Sequence, residues 1–330
     1  MFKSLKTMTA LLLGSAVTLA AQADYSKHPD AKALIDELVA SEVATQAQLA
    51  QWFASASQQK SILEAIARPA EKTKTWAEYS RIFLTGDRID KGVGFWREHA
   101  DTLARAEAEY GVPAAMIVAI IGVETRYGRN MGSYRVIDAL STLAFDYPPR
   151  SAFFRKELAE FIRLTQEQKQ DPLALKGSYA GAMGYGQFMP SSFRAYAVDY
   201  DGDAIADIWA NPVDAIGSVA NYFARHGWQT GQPVTLRVRV SADHDAALLN
   251  TNLKPDVTVA NARAAGFEPV TSLPDAEMVT LYQLEGDHGA EFWAGTQNYY
   301  VITRYNRSRM YALAAWQLSQ KIEQAYQAGN

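Results

Sequence analysis

The chain has no cysteine among its 330 residues. This absence excludes a disulfide framework, a zinc site with thiolate ligands and any cysteine that could carry a lipid. The net charge is also small, because 32 basic and 36 acidic side chains nearly balance and leave a formal net charge of −4. Since the sequence has no basic cluster either, this balance argues against a nucleic-acid partner.

Long hydrophobic runs are few, and one of them lies at the N-terminus. Lys3 and Lys6 precede an apolar run over residues 10–20, and Ala21 and Ala23 form a small-residue cleavage pattern. This arrangement is typical of a signal peptide over residues 1–23, and the run is too short for a permanent membrane anchor. We therefore expect a soluble mature protein that is exported to the periplasm and has no membrane anchor.

A second apolar run ends in a glutamate. Residues 112–128 predict a helix with almost no polar face, which favours a fully buried helix. Pro113 suits its first turn and Gly128 suits its end. Glu124 is then a carboxyl group carried into the interior, where burial disfavours the charged form and raises the pKa. A carboxylic acid that stays protonated near neutral pH can protonate a leaving-group oxygen.

The spacing of apolar residues divides the chain into a helical part and a β-rich part. Apolar side chains recur every three or four positions through residues 29–111, which predicts consecutive helices. The composition shifts after Gly231, and residues 234–240 alternate with a period of two, as strands do. We predict an α+β fold that is predominantly helical, with a small β-rich domain over residues 232–304.

The same patterns predict individual elements. Helices are expected over residues 75–83, 95–110, 134–143, 151–168, 190–197, 214–227 and 309–327. Further strands are expected over 278–284 and 291–303, with a short helix over 257–266. In the helix over 151–168, the predicted buried side consists of Phe153, Leu158, Phe161, Ile162 and Leu164.

A glycine-rich segment spans residues 177–191. It lacks the Lys and Ser/Thr of a phosphate-binding loop, so it does not predict a nucleotide site. Glycines also allow the backbone to approach a ligand closely or to pack tightly. Ser178 and Gln187 are the candidates to present a hydroxyl and an amide into a groove. A purely structural turn that packs on the Glu124 helix is the alternative.

An acidic loop follows the glycine-rich segment. Asp199, Asp201, Asp203 and Asp207 occupy positions 1, 3, 5 and 9 of an EF-hand pattern, which converges oxygen ligands on one cation. Position 6 is Ala204 instead of glycine, and position 12 lacks the usual glutamate. We expect a structural calcium site, with sodium as the weaker alternative and a solvated acidic turn as the simplest one.

Several long motifs resemble one enzyme family. The sequence around Glu124, the segment over 181–192 and the stretches 144–148, 214–223 and 302–308 are similar to the B-type lytic murein transglycosylases of glycoside hydrolase family 103. The similarity extends from about Tyr79 to the last helix. It implies a lysozyme-like core over 112–231 that contains the EF-hand-like loop 199–214. A helical domain over 24–111, the β-rich domain and a returning segment over 305–330 would surround that core.

The resemblance also implies an activity and a set of site residues. Glu124 matches the single catalytic acid and base, which cleaves the bond between N-acetylmuramic acid and N-acetylglucosamine in peptidoglycan without water and leaves 1,6-anhydro ends. Catalysis needs no cofactor, and peptidoglycan strands and cell-wall synthases are the expected partners. The matching substrate residues are Ser178, Gln187, Tyr222, Tyr305, Asn306, Tyr311, Tyr79 and Arg150, the last two at outer groove positions. In the metal loop, the backbone carbonyl of Ile205 and the carboxylate of Asp214 match the remaining ligands.

Other functions remain open from the residues alone. Glu124 could pair with Arg126 or Arg129 and have no catalytic role. A hydrolysing muramidase would need a second carboxylate, for which Asp138 and Asp146 are candidates, although Asp146 fits a turn-capping role better. A peptidoglycan-binding scaffold without activity is the third possibility.

Overall fold

The computed structural model describes residues 24–67 and 74–329, so the predicted signal peptide over 1–23 lies outside the described residues. Helices dominate, and a small antiparallel sheet lies late in the chain, which confirms the α+β class. The helices are α1 (Pro29–Ala40), α2 (Gln46–Ser55), α3 (Lys60–Ile66), α4 (Trp76–Phe83), α5 (Gly86–Glu98), α6 (Ala100–Tyr110), α7 (Ala114–Thr125), α8 (Val136–Asp146), α9 (Ser151–Glu167), α10 (Pro190–Tyr196), α11 (Pro212–Arg225), α12 (Val259–Ala264), α13 (Gln297–Tyr305) and α14 (Arg309–Ala328).

The strands form two sheets of unequal size. They are β1 (Tyr134–Arg135), β2 (Lys176–Gly177), β3 (Thr235–Val240), β4 (Val257–Thr258), β5 (Phe267–Pro269), β6 (Met278–Gly286) and β7 (Gly289–Gly295). β1 pairs with β2, and the other five strands form an antiparallel sheet in the order β4-β6-β7-β3-β5. A separate hydrophobic cluster that includes Leu236, Phe267 and Leu281 supports this sheet.

Helix α7 lies at the centre of the larger hydrophobic cluster. Every residue from Ala114 to Gly122 is buried, as the absence of a polar face predicts. Helices α5, α6, α11 and α14 pack around it. Helix α14 comes from the C-terminal part of the chain and α5 from the N-terminal part. The buried helix α7 therefore packs against both parts.

The predicted end of this helix at Gly128 is wrong by three residues. Helix α7 ends at Thr125, and Arg126, Tyr127 and Gly128 follow with φ angles of 51°, 61° and 82°. A left-handed backbone costs about 1–2 kcal/mol at a residue other than glycine. The helix therefore stops where tertiary contacts hold Arg126 and Tyr127 in an unfavourable backbone conformation, and not at the first glycine.

Two other predicted elements are also wrong in part. The single helix over 95–110 is broken at His99 into α5 and α6. The strand over 291–303 ends at Gly295, and helix α13 replaces its second half. The β-branched and aromatic residues there favour a strand locally. However, Tyr299 and Ile302 are fully buried at helical spacing, and Asn298 donates to the carbonyls of Gln229 and Gln232.

The remaining element predictions agree with the structure to within a few residues. The stretch over 134–143 begins with the short strand β1 before α8, and the stretch over 257–266 begins with β4 before α12. One side chain was assigned to the wrong face. Phe153 is 38% exposed and lies under the guanidinium of Arg150, whereas Phe154 takes the buried position.

No single helix among the described residues is long and apolar enough to cross a membrane. Helices α6 and α7 pass that test only as a pair, and they are bent by 113° at their junction. The division of the chain into domains stays a prediction, although the separate cluster under the sheet agrees with a β-rich unit over 232–304.

Candidate active site

Glu124 lies in the last turn of α7, where the helix reaches the surface. The helix is buried up to Gly122, but Val123 and Glu124 are partly exposed. The prediction of an interior carboxyl group therefore needs a correction, since Glu124 stands at the edge of the core. At this position the carboxyl group lies above apolar, buried residues of α7 and is still accessible from solvent.

A threonine ties the end of α7 to the glycine-rich segment. Oγ1 of Thr125 lies 3.1 Å from the carbonyl oxygen of Ile121 and 3.0 Å from that of Tyr185, and it accepts a hydrogen bond from the amide of Gly128. Because Thr125 directly follows Glu124, these bonds fix the backbone from which the carboxyl group projects. The left-handed residues after the helix are held by the same contacts.

A buried arginine closes the same helix end from the other side. Arg88 is 5% exposed, and its Nη1 donates to the carbonyls of Gly122 at 3.0 Å and Val123 at 3.5 Å. A cation is favourable at this end because the carbonyl groups at a helix C-terminus carry partial negative charge. The hydroxyl of Tyr127 in turn donates to the carbonyl of Arg88 at 2.8 Å. Burial lowers the pKa of the Arg88 guanidinium.

Tyrosines line the approach to the carboxyl group. The hydroxyl of Tyr311 donates to Oε1 of Glu124 at 2.5 Å. Tyr311 is 3% exposed; burial and then the Glu124 carboxylate raise the pKa of its hydroxyl well above the ordinary value. Burial followed by the Glu124 carboxylate also raises the pKa of Tyr305. These tyrosines therefore remain neutral hydroxyl groups beside Glu124.

The rings of Tyr305 and Tyr222 extend this cluster. The hydroxyl of Tyr305 donates to the carbonyl of Gly186 at 2.5 Å, and its ring lies 4.7 Å from that of Tyr222. Tyr222 donates to the carbonyl of Arg304 at 2.7 Å, and burial raises the pKa of its hydroxyl. Both hydroxyl groups are thus engaged with backbone carbonyl groups.

Tyr79 lies on α4, and its position in the outer groove stays a prediction. It is 5% exposed. Its ring also packs on Phe83 at 5.1 Å. Tyr79 is thus a buried ring that packs along its own helix.

The glycine-rich segment folds into a tight turn beside this cluster. Met183 and Phe188 exchange two backbone hydrogen bonds, and the turn between them contains Gly184, Gly186 and Gln187. A Cβ atom on Gly186 would lie 2.8 Å from the Tyr305 hydroxyl, and one on Gly184 would lie 2.3 Å from a backbone oxygen. Gly186 thus allows close packing against Tyr305, and Gly184 allows close packing against Ile208, which agrees with the structural alternative for this segment.

The two polar candidates of this segment are partly exposed. Gln187 has a φ of 50°, and its Nε2 donates to the carbonyls of Met131 at 3.2 Å and Gly184 at 3.0 Å. Oγ of Ser178 accepts a hydrogen bond from the amide of Ala182 at 3.0 Å. These bonds fix both side chains, and in Gln187 the bonded atom is the amide nitrogen.

The two remaining substrate candidates lie in different places. Asn306 is partly exposed at the end of α13, directly after Tyr305, and so borders the tyrosine cluster. Arg150 is exposed at the start of α9, where its guanidinium covers Phe153 at 4.5 Å and Phe154 at 5.0 Å. Asn306 thus directly follows Tyr305 along the chain, and Arg150 lies exposed at the start of α9.

The acidic loop converges three of its predicted ligands. One carboxylate oxygen each of Asp199, Asp201 and Asp203 lies within 4.8 Å of the others, and all three residues are exposed. Ala204 adopts a φ of 72°, so it takes the left-handed conformation that the usual glycine would supply. Carboxylate oxygens are the ligands that calcium prefers, so the donor set fits that cation.

The other predicted ligands serve the backbone in this structure. Oδ1 of Asp207 accepts from the amides of Trp209 and Ala210. Asp214 is fully buried and accepts from the amides of Tyr200 and Asp207, one on each oxygen. Burial raises the pKa of Asp214, while those amides act in the opposite direction. Asp207 and Asp214 thus stabilise the loop itself.

The candidate second carboxylates are both engaged elsewhere. Asp138 is 5% exposed, accepts two hydrogen bonds from Arg135 and accepts a third from the amide of Ser57. Asp146 accepts a hydrogen bond from the hydroxyl of Tyr25 at 2.5 Å. Both residues hold N-terminal segments against α8, which is a structural role.

The fold and the site define a lysozyme-like protein with one glutamate at the end of a buried helix. The model of the family described as the Transglycosylase SLT domain matches residues 26–320. The chain therefore belongs to this family, as the sequence motifs predict.

Relatives and solved structures agree with this assignment. The chain is 42% identical over 308 residues to membrane-bound lytic murein transglycosylase B of Escherichia coli, covering 91% of this chain and 84% of that protein. Catenated lytic transglycosylase SltB1 of Pseudomonas aeruginosa matches with 52% identity and a TM-score of 0.89, covering 92% of this chain and 100% of that one. Lytic transglycosylase Slt35 of E. coli in complex with calcium matches with 42% identity and a TM-score of 0.84, covering 92% and 95%.

Proposed function

We propose that this protein is a lytic transglycosylase that cleaves peptidoglycan strands without water, with Glu124 as the only acid and base. The observation that carries the proposal is the position of Glu124. Its carboxyl group stands partly exposed at the end of a buried helix, with one oxygen bonded to the buried Tyr311 hydroxyl. The family and the names of the relatives support the reaction class.

The reaction needs two proton transfers at one carboxyl group. Protonated Glu124 gives its proton to the oxygen of the β-1,4 bond, and the N-acetylglucosamine side leaves with that proton. The Glu124 carboxylate then takes the proton from the C6 hydroxyl of N-acetylmuramic acid. The C6 oxygen then bonds to C1 and closes the 1,6-anhydro ring. The proton taken from the C6 hydroxyl restores the protonated Glu124.

The surrounding residues have supporting roles in this proposal. Tyr311 orients the carboxyl group, and the bonds of Thr125 and Arg88 hold the backbone behind it. The partly exposed Tyr305 offers its ring to a sugar, the buried Tyr222 packs against that ring, and Tyr79 remains the predicted outer groove residue. Ser178, Gln187 and Asn306 supply polar contacts to the sugars nearest the cleaved bond, and Arg150 contacts the substrate farther out.

A structural calcium ion in the acidic loop is part of the same proposal. Asp199, Asp201 and Asp203 would bind it, with the carbonyl of Ile205 and the carboxylates of Asp207 and Asp214 completing the site. Sodium is the weaker alternative. The calcium complex of Slt35 supports the choice of ion. The ion would stabilise the loop between α10 and α11 and would take no part in catalysis.

The place of action follows from the substrate. A protein that cuts peptidoglycan must reach the cell wall, and the signal-peptide pattern over residues 1–23 supports export to the periplasm. Cell-wall synthases stay a predicted class of partner, because enzymes that build and cut the same strands work on a common substrate.

A matched pair of variants tests the proposal. Purified peptidoglycan sacculi are incubated with the parent protein, with Glu124→Gln and with Glu98→Gln, an exposed glutamate of α5. We expect Glu124→Gln to release soluble fragments at least about a hundredfold more slowly, because it lacks the acid and base. The control should match the parent. Release by Glu124→Gln at the parent rate contradicts the proposal, and binding without release by the parent would favour the scaffold.

A further inference from the structure

A cleft lies between the start of α7, the C-terminal helix α14 and the loops that precede β3 and follow β5. It encloses about 560 Å³, a size that is typical of small-molecule sites. Its lining includes Met116 of α7, whereas Glu124 comes eight residues later, about 12 Å farther along the helix axis. None of the active-site residues that the structure describes belongs to this lining. The cleft is therefore separate from the candidate active site.

Two tryptophans form the aromatic part of the lining. Trp316 on α14 and Trp228 before β3 are both partly exposed. Trp228 packs edge-on against Phe223 at 5.5 Å, which fixes its ring. Its indole N–H is buried and has no hydrogen-bond partner among the described residues. Because a buried donor without an acceptor is unfavourable, the lining favours a ligand with acceptor oxygens over a purely apolar one.

The polar part of the lining is neutral or acidic, and none of its described residues is basic. On α14, Ser319, Gln320 and Glu323 follow the tryptophan by three, four and seven positions, so they share its face of the helix. Glu107 of α6 is the other carboxylate, and its Oε2 accepts a hydrogen bond from a backbone amide of α7 at 3.0 Å. Two carboxylates without a cation disfavour phosphate and carboxylate ligands.

We infer that this cleft is a second, non-catalytic site for the uncharged N-acetylated sugars of a glycan strand. The inference rests on the proposed function, which supplies such strands as the substrate. A sugar can stack an apolar ring face on tryptophan, while its hydroxyl groups donate to carboxylates and its oxygens accept from N–H groups. An organic cation would also suit the rings and the carboxylates, but it offers no acceptor to the Trp228 N–H. The lining therefore favours the sugar.

A second site would change how the protein holds an insoluble substrate. Sacculi present many strands, so one sugar segment can occupy the cleft while another lies at Glu124. Each bound segment then raises the effective concentration of the other. The cleft should therefore increase the affinity for sacculi and leave the cleavage of short soluble strands unchanged.

The test compares two cleft variants with matched controls. Trp316→Ala removes a ring of the cleft, and Trp96→Ala removes a partly exposed tryptophan of α5 outside the lining. Gln320→Arg fills the cleft, and Gln324→Arg adds the same charge at an exposed position outside it. If Trp316→Ala does not fold, Gln320→Arg decides alone. Binding to intact sacculi and to sacculi stripped of peptides by an amidase is measured by sedimentation in the Glu124→Gln background.

We expect both cleft variants to bind either kind of sacculus about tenfold more weakly than their controls, because the second site no longer contributes. With Glu124 intact, their kcat and KM on a short soluble strand should equal those of the controls. Unchanged binding to sacculi would overturn the inference. A loss confined to sacculi that carry peptides would also overturn it and would indicate a cationic ligand.

The kinetic measurement separates this site from the active site. An increase in KM on the short strand as large as the loss of sacculus binding would overturn the inference, because the effect would then lie at Glu124. Failure of the parent protein to release fragments would contradict the proposed function. That failure is distinguishable, since binding through the cleft is measured without cleavage.

Discussion

The hydroxyl group of Tyr311 donates a hydrogen bond to Oε1 of Glu124 and joins the C-terminal helix α14 to the end of the buried helix α7. The two residues are 187 positions apart in the sequence. The bond engages one of the two carboxyl oxygens. Since Tyr311 is buried, the geometry of the bond is fixed by packing on both helices.

Replacing Tyr311 by phenylalanine tests this relationship. We expect kcat of Tyr311→Phe to fall about ten- to a hundredfold, because a hydrogen bond to a charged group contributes about 1.5–3 kcal/mol. Loss of the donor disfavours the ionised carboxyl group, so the alkaline limb of the pH profile should move to higher pH. Tyr326→Phe, on the same helix, is the control. An unchanged rate and pH profile for Tyr311→Phe would show that the bond has no catalytic role.

Arg88 should affect both stability and catalysis. Arg88→Met removes the donor to the carbonyls of Gly122 and Val123, and we expect the free energy of unfolding to fall by about 1–3 kcal/mol. The end of α7 should loosen, so kcat should fall while KM changes little. Urea unfolding and steady-state kinetics measure these effects. Arg97→Met, an exposed neighbour on α5, should match the parent.

A variant of Arg88 that keeps the positive charge distinguishes a role in positioning the end of α7 from a role in stability alone. Arg88→Lys should regain part of the lost kcat, because its ammonium group can reach one of the two carbonyls. If Arg88→Met is destabilised but keeps the parent kcat below its melting temperature, the arginine serves the fold alone.

Calcium should stabilise the protein without changing its chemistry. At a concentration about a hundred times the dissociation constant, binding to the native state adds about 2.7 kcal/mol. We expect the melting temperature of the parent to rise with calcium and that of Asp203→Asn to rise much less, while Asp90→Asn behaves as the parent. Calorimetry with and without a chelator measures this. If the chelator abolishes activity far below the melting temperature, the ion has more than a structural role.

For the stacked pair Tyr282 and Tyr299, we predict that removal of the hydroxyl group changes the stability in opposite directions. The rings of Tyr282 and Tyr299 lie 4.8 Å apart, and both are fully buried. The hydroxyl of Tyr282 bonds to Thr235 at 2.8 Å, whereas that of Tyr299 has no hydrogen-bond partner among the described residues. We expect Tyr282→Phe to lose about 1 kcal/mol of stability and Tyr299→Phe to gain about 1 kcal/mol. Equal effects in urea unfolding would contradict this account.

The sequence predicts the centre of the site because its physical signals are local. An apolar run without a polar face must be buried, and a glutamate at its end must then stand near the core. Aspartates at alternate positions of a short loop must converge, as Asp199, Asp201 and Asp203 do. The family motifs add the tyrosines, which the structure brings to Glu124 from α11, α13 and α14.

The contacts that fix this site are not local and leave little trace in the sequence. Arg88 lies in an ordinary amphipathic helix, and nothing in its pattern marks it as buried against α7. The end of α7 depends on the bond between Thr125 and Tyr185, which no spacing rule predicts. Tertiary packing also determines the conformation of the second half of the predicted strand over 291–303. This half is helical, and Asn298 and Tyr299 are buried in it.

The origin of the oxygen at the new chain end tests the central claim most directly. Sacculi are digested by the parent protein in water labelled with a heavy oxygen isotope, and the fragments are analysed by mass spectrometry. If Glu124 passes the proton of the C6 hydroxyl and no water enters, the muramic ends will be one water lighter than hydrolysis products and will carry no label. Labelled, hydrated ends would contradict the account and would show a hydrolase that uses a second base.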